Sequence, residues 1–249
     1  MTRSWRYLAA GVGAYLLILL VTLPANRASH LLEEKFAGLS LQGVTGTIFS
    51  GQAARVVIQD LGLGSVSWSL RPWALFLGRL EYRIKVRDAT LQGGGDVGLG
   101  LGGLLFVHDL SAELQPDPLV NHFAPIAVKT TGRVSLLIDS LELSDGFPRE
   151  LAGLVSWADA SILEPVDLSL GQVEVILSRV EEGIVGNLSN TSGATAVSGD
   201  LSLAPSGQYR MNLLLTPGVA TAPDIMELLT SFGQPKPGGA YLITDSGQL

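Results

Sequence analysis

The hydrophobic pattern of the chain changes near its N-terminus. An uncharged apolar run covers residues 7–23, whereas later segments alternate apolar and polar residues with a period of two. A helix over residues 8–23 would be about 24 Å long, close to the ~30 Å hydrocarbon core of a bilayer. The run therefore predicts one transmembrane helix, with membrane contact through residues 7–25.

The charges around this run predict its orientation. Arg3 and Arg6 precede it, and positive flanking residues stay on the cytoplasmic side. A cleaved signal peptide is the alternative, but residues 24–30 lack the small residues that a cleavage site needs. We therefore expect residues 1–27 to form a cytoplasmic stub and an uncleaved signal anchor. The bulk of a single-pass inner-membrane protein would then lie in the bacterial periplasm.

Beyond the anchor, the pattern first favours a short helix and then strands. Apolar residues at helical spacing in residues 28–36 predict a membrane-proximal helix or linker over 28–42. The clearest strand signal is residues 79–87, where Leu80, Tyr82, Ile84 and Val86 alternate with charged residues. Such alternation is typical of a strand with one buried face.

Similar alternation and frequent turns predict the fold class of residues 43–249. Further strands are expected at residues 132–139, 173–178 and 208–215, with turn signals about every ten residues. Residues 118–123 could form one helical turn, and 221–233 have the caps and spacing of a short C-terminal helix. The prediction is an all-β domain with a mainly antiparallel, curved or meandering sheet, because no βαβ alternation occurs.

A weak internal repeat suggests that this domain is duplicated. Gly46-Thr-Ile-Phe-Ser is followed by Val66-Ser-Trp68, and Gly132-Arg-Val-Ser-Leu is followed by Val155-Ser-Trp157. We expect Trp68 and Trp157 to anchor the sheet core. Two similar β-units, 43–125 and 126–249, would explain the repeat. The open alternative is chance recurrence in a glycine-rich chain.

The composition excludes some classes of partner and of chemistry. The chain has 249 residues and no cysteine, which excludes disulfides and thiolate chemistry. Residues 28–249 carry 13 Lys and Arg against 23 Asp and Glu, a formal charge of −10. This balance disfavours nucleic acid and anionic lipid head groups as general partners.

No catalytic, cofactor or metal site is expected. Residues 98–103 satisfy G-x-G-x-x-G, but a strand-like run follows where a nucleotide-binding loop needs a helix. We expect these glycines to let strands bend or approach closely. His30, His108 and His122 are scattered along the chain, without the close spacing of several histidines that a metal site uses. The sequence therefore predicts a protein that is not an enzyme.

One apolar connection is a candidate contact surface. Residues 71–78 read Arg-Pro-Trp-Ala-Leu-Phe-Leu-Gly, and their apolar side chains predict an interaction surface formed by Trp73, Leu75, Phe76 and Leu77. The alternative is a short apolar helix that covers one end of the sheet, since isolated apolar connections usually cover a core.

Several of these pieces, in this order, resemble the type II secretion system protein N family. They are the anchor, Gly46-Thr-Ile-Phe-Ser-Gly51, Val66-Ser-Trp-Ser-Leu-Arg-Pro72, Gly78-Arg-Leu80, Pro148-Arg-Glu-Leu-Ala-Gly153, Val155-Ser-Trp157, Gly199-Asp-Leu-Ser-Leu203 and Gly207-Gln-Tyr209. The resemblance implies a non-enzymatic accessory component of the machine that exports folded proteins from the periplasm. It implies partners among other type II secretion system components, namely the inner-membrane platform and the secretin.

A lipid-handling protein similar to the AsmA-like bridge proteins is the alternative. An anchored sheet with an uncovered apolar face could hold lipid acyl chains in a groove, and the same alternation would serve it. Sheet curvature and exposed apolar area would distinguish the two readings.

Overall fold

The computed structural model describes residues 22–35, 38–58, 61–117, 128–144, 147–164, 167–218, 221 and 223–248, together with Tyr7, Gly11 and Tyr15. Most of the predicted anchor and the predicted turn at 118–123 lie outside these residues. Among the described residues, no helix is both long enough and apolar enough to cross a bilayer. The chain divides into two compact units, residues 1–92 and 93–249.

The first unit combines one helix with a small antiparallel sheet. Its elements are α1 (Ala25–Lys35), β1 (Leu39–Gln42), β2 (Thr45–Gly46), β3 (Ser50–Ile58), β4 (Leu61–Leu70), a 3-10 turn (Pro72–Leu77) and β5 (Leu80–Arg87). The strand order is β1-β3-β4-β5, and β2 pairs with β3. Ala53 and Val56 of β3 are buried, as is Ala25 of the helix.

The second unit is an antiparallel meander with one helix near its end. The boundary between the units falls inside β6 (Leu91–Leu99), at Gly93. The elements that follow are β7 (Leu105–Leu114), β8 (Lys129–Ser144), β9 (Phe147–Glu164), β10 (Leu168–Val180), β11 (Gly183–Ser192), β12 (Thr195–Leu203), β13 (Gln208–Pro217), α2 (Pro223–Phe232), β14 (Gln234–Pro235) and β15 (Tyr241–Gln248). Each strand pairs with the next in sequence up to β13, which pairs with β15, and β14 completes that edge. The predicted all-β, mainly antiparallel class is confirmed.

Buried apolar residues of the second unit lie on its strands and on α2. Phe106 of β7, Ile138 of β8 and Val173 of β10 are buried, and Ile225 and Leu229 bury one face of α2. These two helix residues are four apart, which places them on the same side of the helix. The C-terminal helix predicted for residues 221–233 is therefore present as α2.

In residues 98–103 the glycines allow a bend and not a close approach, because Gly102 and Gly103 have φ of +82° and +83° and no atom lies within 4 Å of a β-carbon added to either. Close strand contacts occur instead at the glycines earlier in β6. A side chain at Gly93 or Gly95 of β6 would come within 3 Å of the main chain of β7. After Gly100, a 3-10 turn (Leu101–Gly103) leads directly into β7, so no helix follows the G-x-G-x-x-G pattern. The predicted pair of similar β-units, 43–125 and 126–249, stays a prediction.

Candidate contact surfaces

The 3-10 turn between β4 and β5 begins and ends where its sequence requires. Pro72 occupies its first position, where the fixed φ of proline suits a helical start. Gly78 ends it with φ 69° and ψ 25°, a left-handed conformation that glycine adopts without strain. Its N–H donates to the carbonyl oxygen of Leu75 at 3.0 Å. The turn is thus a defined local structure.

Four apolar side chains of this turn lie in solvent. Phe76 is 92% exposed, Leu77 74%, Trp73 62% and Leu75 50%. Ala74 is the buried residue of the turn. The predicted surface residues therefore lie together on one short exposed turn. Their role as an interaction surface stays a prediction.

The base of the turn is fixed to the sheet. A guanidinium nitrogen of Arg71 lies 2.6 Å from a carboxylate oxygen of Glu81, whose side chain is mostly buried. The main-chain N–H of Arg71 also donates to the carbonyl of Glu81 at 2.8 Å, and that of Arg79 donates to Ala74 at 2.9 Å. Burial also raises the pKa of the phenol of Tyr82, the next residue of β5. The exposed apolar side chains are consequently presented on a rigid support.

Charge is distributed unequally between the two units. Residues 1–92 carry 10 Lys and Arg against 5 Asp and Glu, a formal charge of +5, whereas residues 93–249 carry 6 against 18, a charge of −12. Five of the cations fall within residues 71–87, where Glu81 is the one acidic residue. Arg83, Lys85 and Arg87 alternate along β5 and are exposed. Without the predicted anchor, residues 28–92 carry 7 Lys and Arg against 5 Asp and Glu, a formal charge of +2, so the −10 of residues 28–249 lies in residues 93–249.

The second candidate surface is an open strand edge. β15 pairs with β13 along residues 241–248, but its other side meets β14 only at Tyr241 and Leu242. Among the described strands, no neighbour covers that side of β15 from Ile243 onward. An open edge offers main-chain N–H and C=O groups to a partner strand.

The histidines give no assembled chemical site in the described part of the chain. The ring of His108 lies 5.2 Å from that of Phe106, centroid to centroid, in a tilted arrangement on β7. His30 belongs to α1, and His122 lies outside the described residues. The described residues contain no group of three or more His, Asp or Glu side chains that could hold a metal ion.

Removing the carboxylate of Glu81 should destabilise the first unit by about 1–2 kcal/mol, because it leaves the half-exposed Arg71 without its short-range partner. Urea denaturation of Glu81→Ala measures this. The matched control is Glu164→Ala, whose 3.5 Å pair with Lys129 joins two exposed side chains and should contribute less than about 0.5 kcal/mol. Equal losses in the two variants would contradict the support assigned to Glu81.

In the described part of the chain, the exposed apolar turn and the open edge of β15 are the candidate contact surfaces. The family model described as "Type II secretion system (T2SS), protein N" matches residues 37–244. The chain belongs to the type II secretion system protein N family.

Curated relatives match along most of their length. The Aeromonas hydrophila protein named type II secretion system protein N is 30% identical over 242 residues, covering 95% of each chain. The Vibrio cholerae protein of the same name is 28% identical over 217 residues, covering 85% of this chain and 86% of the relative. A Pectobacterium carotovorum relative is 24% identical over 215 residues. No solved structure matches this chain.

Proposed function

We propose that this protein is an accessory inner-membrane component of the type II secretion system, which supports export of folded proteins from the periplasm to the exterior. The observation that carries this proposal is the family match over residues 37–244, with relatives that bear the same name. The lipid-handling alternative receives no support from these relatives. The role proposed here is binding or bracing, without catalysis.

The proposed location follows from the N-terminal residues. A helix over residues 8–23 would span the inner membrane once, with residues 1–6 in the cytoplasm and 28–249 in the periplasm. Arg3 and Arg6 support this orientation. A periplasmic domain on a single anchor would lie where folded exoproteins await export.

The proposed partners are other secretion-system components, among them the inner-membrane platform and the secretin. The open edge of β15 could add a strand from a partner, because main-chain hydrogen bonds give affinity without a preformed pocket. Its last residues, Asp245-Ser246-Gly247-Gln248, are polar and exposed. Charged and polar residues on an open edge disfavour its pairing with unintended strands.

Deletion of the gene is expected to lower the extracellular fraction of a type II substrate and to raise its periplasmic fraction. Total synthesis and passage across the inner membrane should not change, because the protein acts after that step. Immunoblots of cell fractions from wild-type, deletion and complemented strains measure this. Unchanged export in the deletion strain would contradict the proposed role.

A further inference from the structure

The exposed apolar turn lies near the segment that follows the proposed membrane span. The main-chain N–H of Ile48 donates to the carbonyl of Leu23 at 3.1 Å, and Pro24 forms an antiparallel bridge with Thr47. The indole N–H of Trp68 donates to the carbonyl of Thr47 at 3.1 Å. The last residues of the apolar N-terminal run are therefore bound to the sheet of the first unit.

The same end of this sheet carries the turn. The N–H of Leu70, the last residue of β4, donates to the carbonyl of Phe49 at 2.6 Å, directly after the segment that holds Leu23 and Pro24. Pro72 begins the turn two residues later. Adjacent strands are about 4.8 Å apart, so the turn starts roughly 10–15 Å from Pro24. A span that ends near residue 23 would hold the turn close to the bilayer surface.

The composition of the turn matches that of a membrane interface. Tryptophan prefers the head-group region, and leucine and phenylalanine prefer the acyl boundary. Arg71 and Arg79 flank the turn, and the part of the first unit beyond the predicted anchor, residues 28–92, carries 7 Lys and Arg against 5 Asp and Glu, a formal charge of +2. Because the acidic residues that dominate the average charge are concentrated in residues 93–249, that average does not exclude anionic lipid at this turn.

The size of the surface favours a bilayer over a protein as its occupant. Stable protein interfaces bury about 800 Å² on each partner, whereas this turn presents four apolar side chains on six residues. A membrane requires no complementary pocket. Tethering by the anchor also raises the effective concentration of lipid, so that weak insertion suffices.

We propose that the turn Pro72–Leu77 inserts into the anionic leaflet from which the chain emerges, as a second attachment beside the anchor. Trp73, Leu75, Phe76 and Leu77 would enter the interface, and the exposed Arg79 would lie at the level of the lipid phosphates. Two attachments would fix the orientation of the first unit on the membrane. The inference rests on the anchor position in the proposed function and is separate from the export role.

The test uses the full chain in proteoliposomes of phosphatidylethanolamine and phosphatidylglycerol. Since the chain has no cysteine, a nitroxide label can be placed at Phe76→Cys without altering other residues. The control is the same label at Ile176→Cys, an apolar residue that is 56% exposed in β10, beside Glu174. Electron paramagnetic resonance then measures collisions of each label with oxygen and with a water-soluble nickel chelate.

The proposal expects the label at position 76 to collide more with oxygen than with nickel, and the label at position 176 to show the reverse. In phosphatidylcholine vesicles the preference for oxygen at position 76 should decrease, because the phosphatidylglycerol charge is lost. Equal values in the two lipids would overturn the anionic-lipid part of the proposal.

Three other outcomes would overturn membrane insertion. Nickel access at position 76 equal to that at 176 would place the turn in water and favour a protein partner. Low access to both reagents at position 76 would indicate contact with a second copy of the chain. Oxygen preference at both positions would show that the preference is not specific to the turn and would remove the case for its insertion. These liposomes contain no other secretion component, so each result leaves the export role to be decided by the deletion strain.

Discussion

Replacement of Gly132 by alanine is expected to destabilise the second unit by about 3–5 kcal/mol, the sum of backbone strain and overpacking. Gly132 has φ +104°, where residues with a side chain are strained. A β-carbon there would overlap the carbonyl oxygen of Ala158 and lie 2.8 Å from the indole nitrogen of Trp157. The first contact is with main chain, which cannot move aside without breaking the β8–β9 ladder.

The local structure explains why glycine is required. The register of β8 against β9 shifts between Thr131 and Arg133, so Gly132 lies in a bulge. The indole N–H of Trp157 donates to the carbonyl of Thr131 at 2.8 Å across this bulge. An alanine at 132 would therefore displace both the neighbouring strand and the tryptophan.

Gly102→Ala is the matched control, because Gly102 also has a positive φ, +82°, but no atom within 4 Å of the added carbon. It should cost only the strain, about 1–2 kcal/mol. Urea denaturation of the full chain in detergent micelles, followed by tryptophan fluorescence, measures both variants. Equal costs would show that the close contact at Gly132 relaxes and carries little energy.

Strands with strict alternation could be predicted from the sequence. Residues 79–87 were expected to form a strand and contain β5, Leu80–Arg87, and residues 208–215 fall in β13, Gln208–Pro217. Helix α2 could be predicted because its proline start, its glycine after the last turn and its helical spacing agree. In these segments the local preference and the tertiary packing favour the same structure.

Other strands carry little local signal. β11 reads Gly-Ile-Val-Gly-Asn-Leu-Ser-Asn-Thr-Ser, and β6 contains three consecutive glycines. Such residues form strands here because both neighbours supply hydrogen bonds, which a single segment of sequence does not reveal. Bulges such as that at Gly132 likewise depend on the partner strand. Trp68 and Trp157, expected in the core, are half-buried, and each donates its indole N–H to a threonine carbonyl.

The contact surfaces were partly predictable. The apolar composition of residues 72–77 identified the turn, but the sequence could not distinguish an exposed turn from a cover over the sheet. The exposure of the turn depends on the Arg71–Glu81 pair and on the burial of Ala74. Both depend on how the strands pair. The charge contrast between residues 1–92 and 93–249 was present in the sequence and becomes informative once the boundary is known.

Replacement of Asn190 by aspartate is expected to destabilise the second unit by about 2–4 kcal/mol at neutral pH, because two hydrogen bonds are replaced by repulsion between oxygens. The side-chain amide of Asn190 donates to the carbonyls of Leu170 at 2.7 Å and Thr195 at 2.9 Å. Its oxygen accepts from the N–H of Val197 at 2.6 Å. One side chain thus joins β10, β11 and β12 where the β11–β12 ladder ends.

The destabilisation should depend on pH in a defined direction. The aspartate would face the carbonyl oxygens of Leu170 and Thr195, which raises the pKa of the introduced carboxyl in the folded state above its ordinary value of about 3.9. The folded state then binds more protons than the unfolded state, so stability falls as the pH rises through the folded-state pKa. Below about pH 4 the protonated acid can donate one hydrogen bond, and part of the loss should be recovered.

Urea denaturation of Asn190→Asp at pH 4 and pH 7 tests this, with Thr191→Asp as the control. Thr191 is exposed and adjacent, so its variant adds the same charge without facing the two carbonyls. Asn190→Ala should show a similar loss at both pH values, relative to the unmodified chain, because it removes the hydrogen bonds and introduces no titrating group. If Asn190→Asp and Thr191→Asp have the same pH dependence, the repulsion is absent and Asn190 does not join the three strands as described.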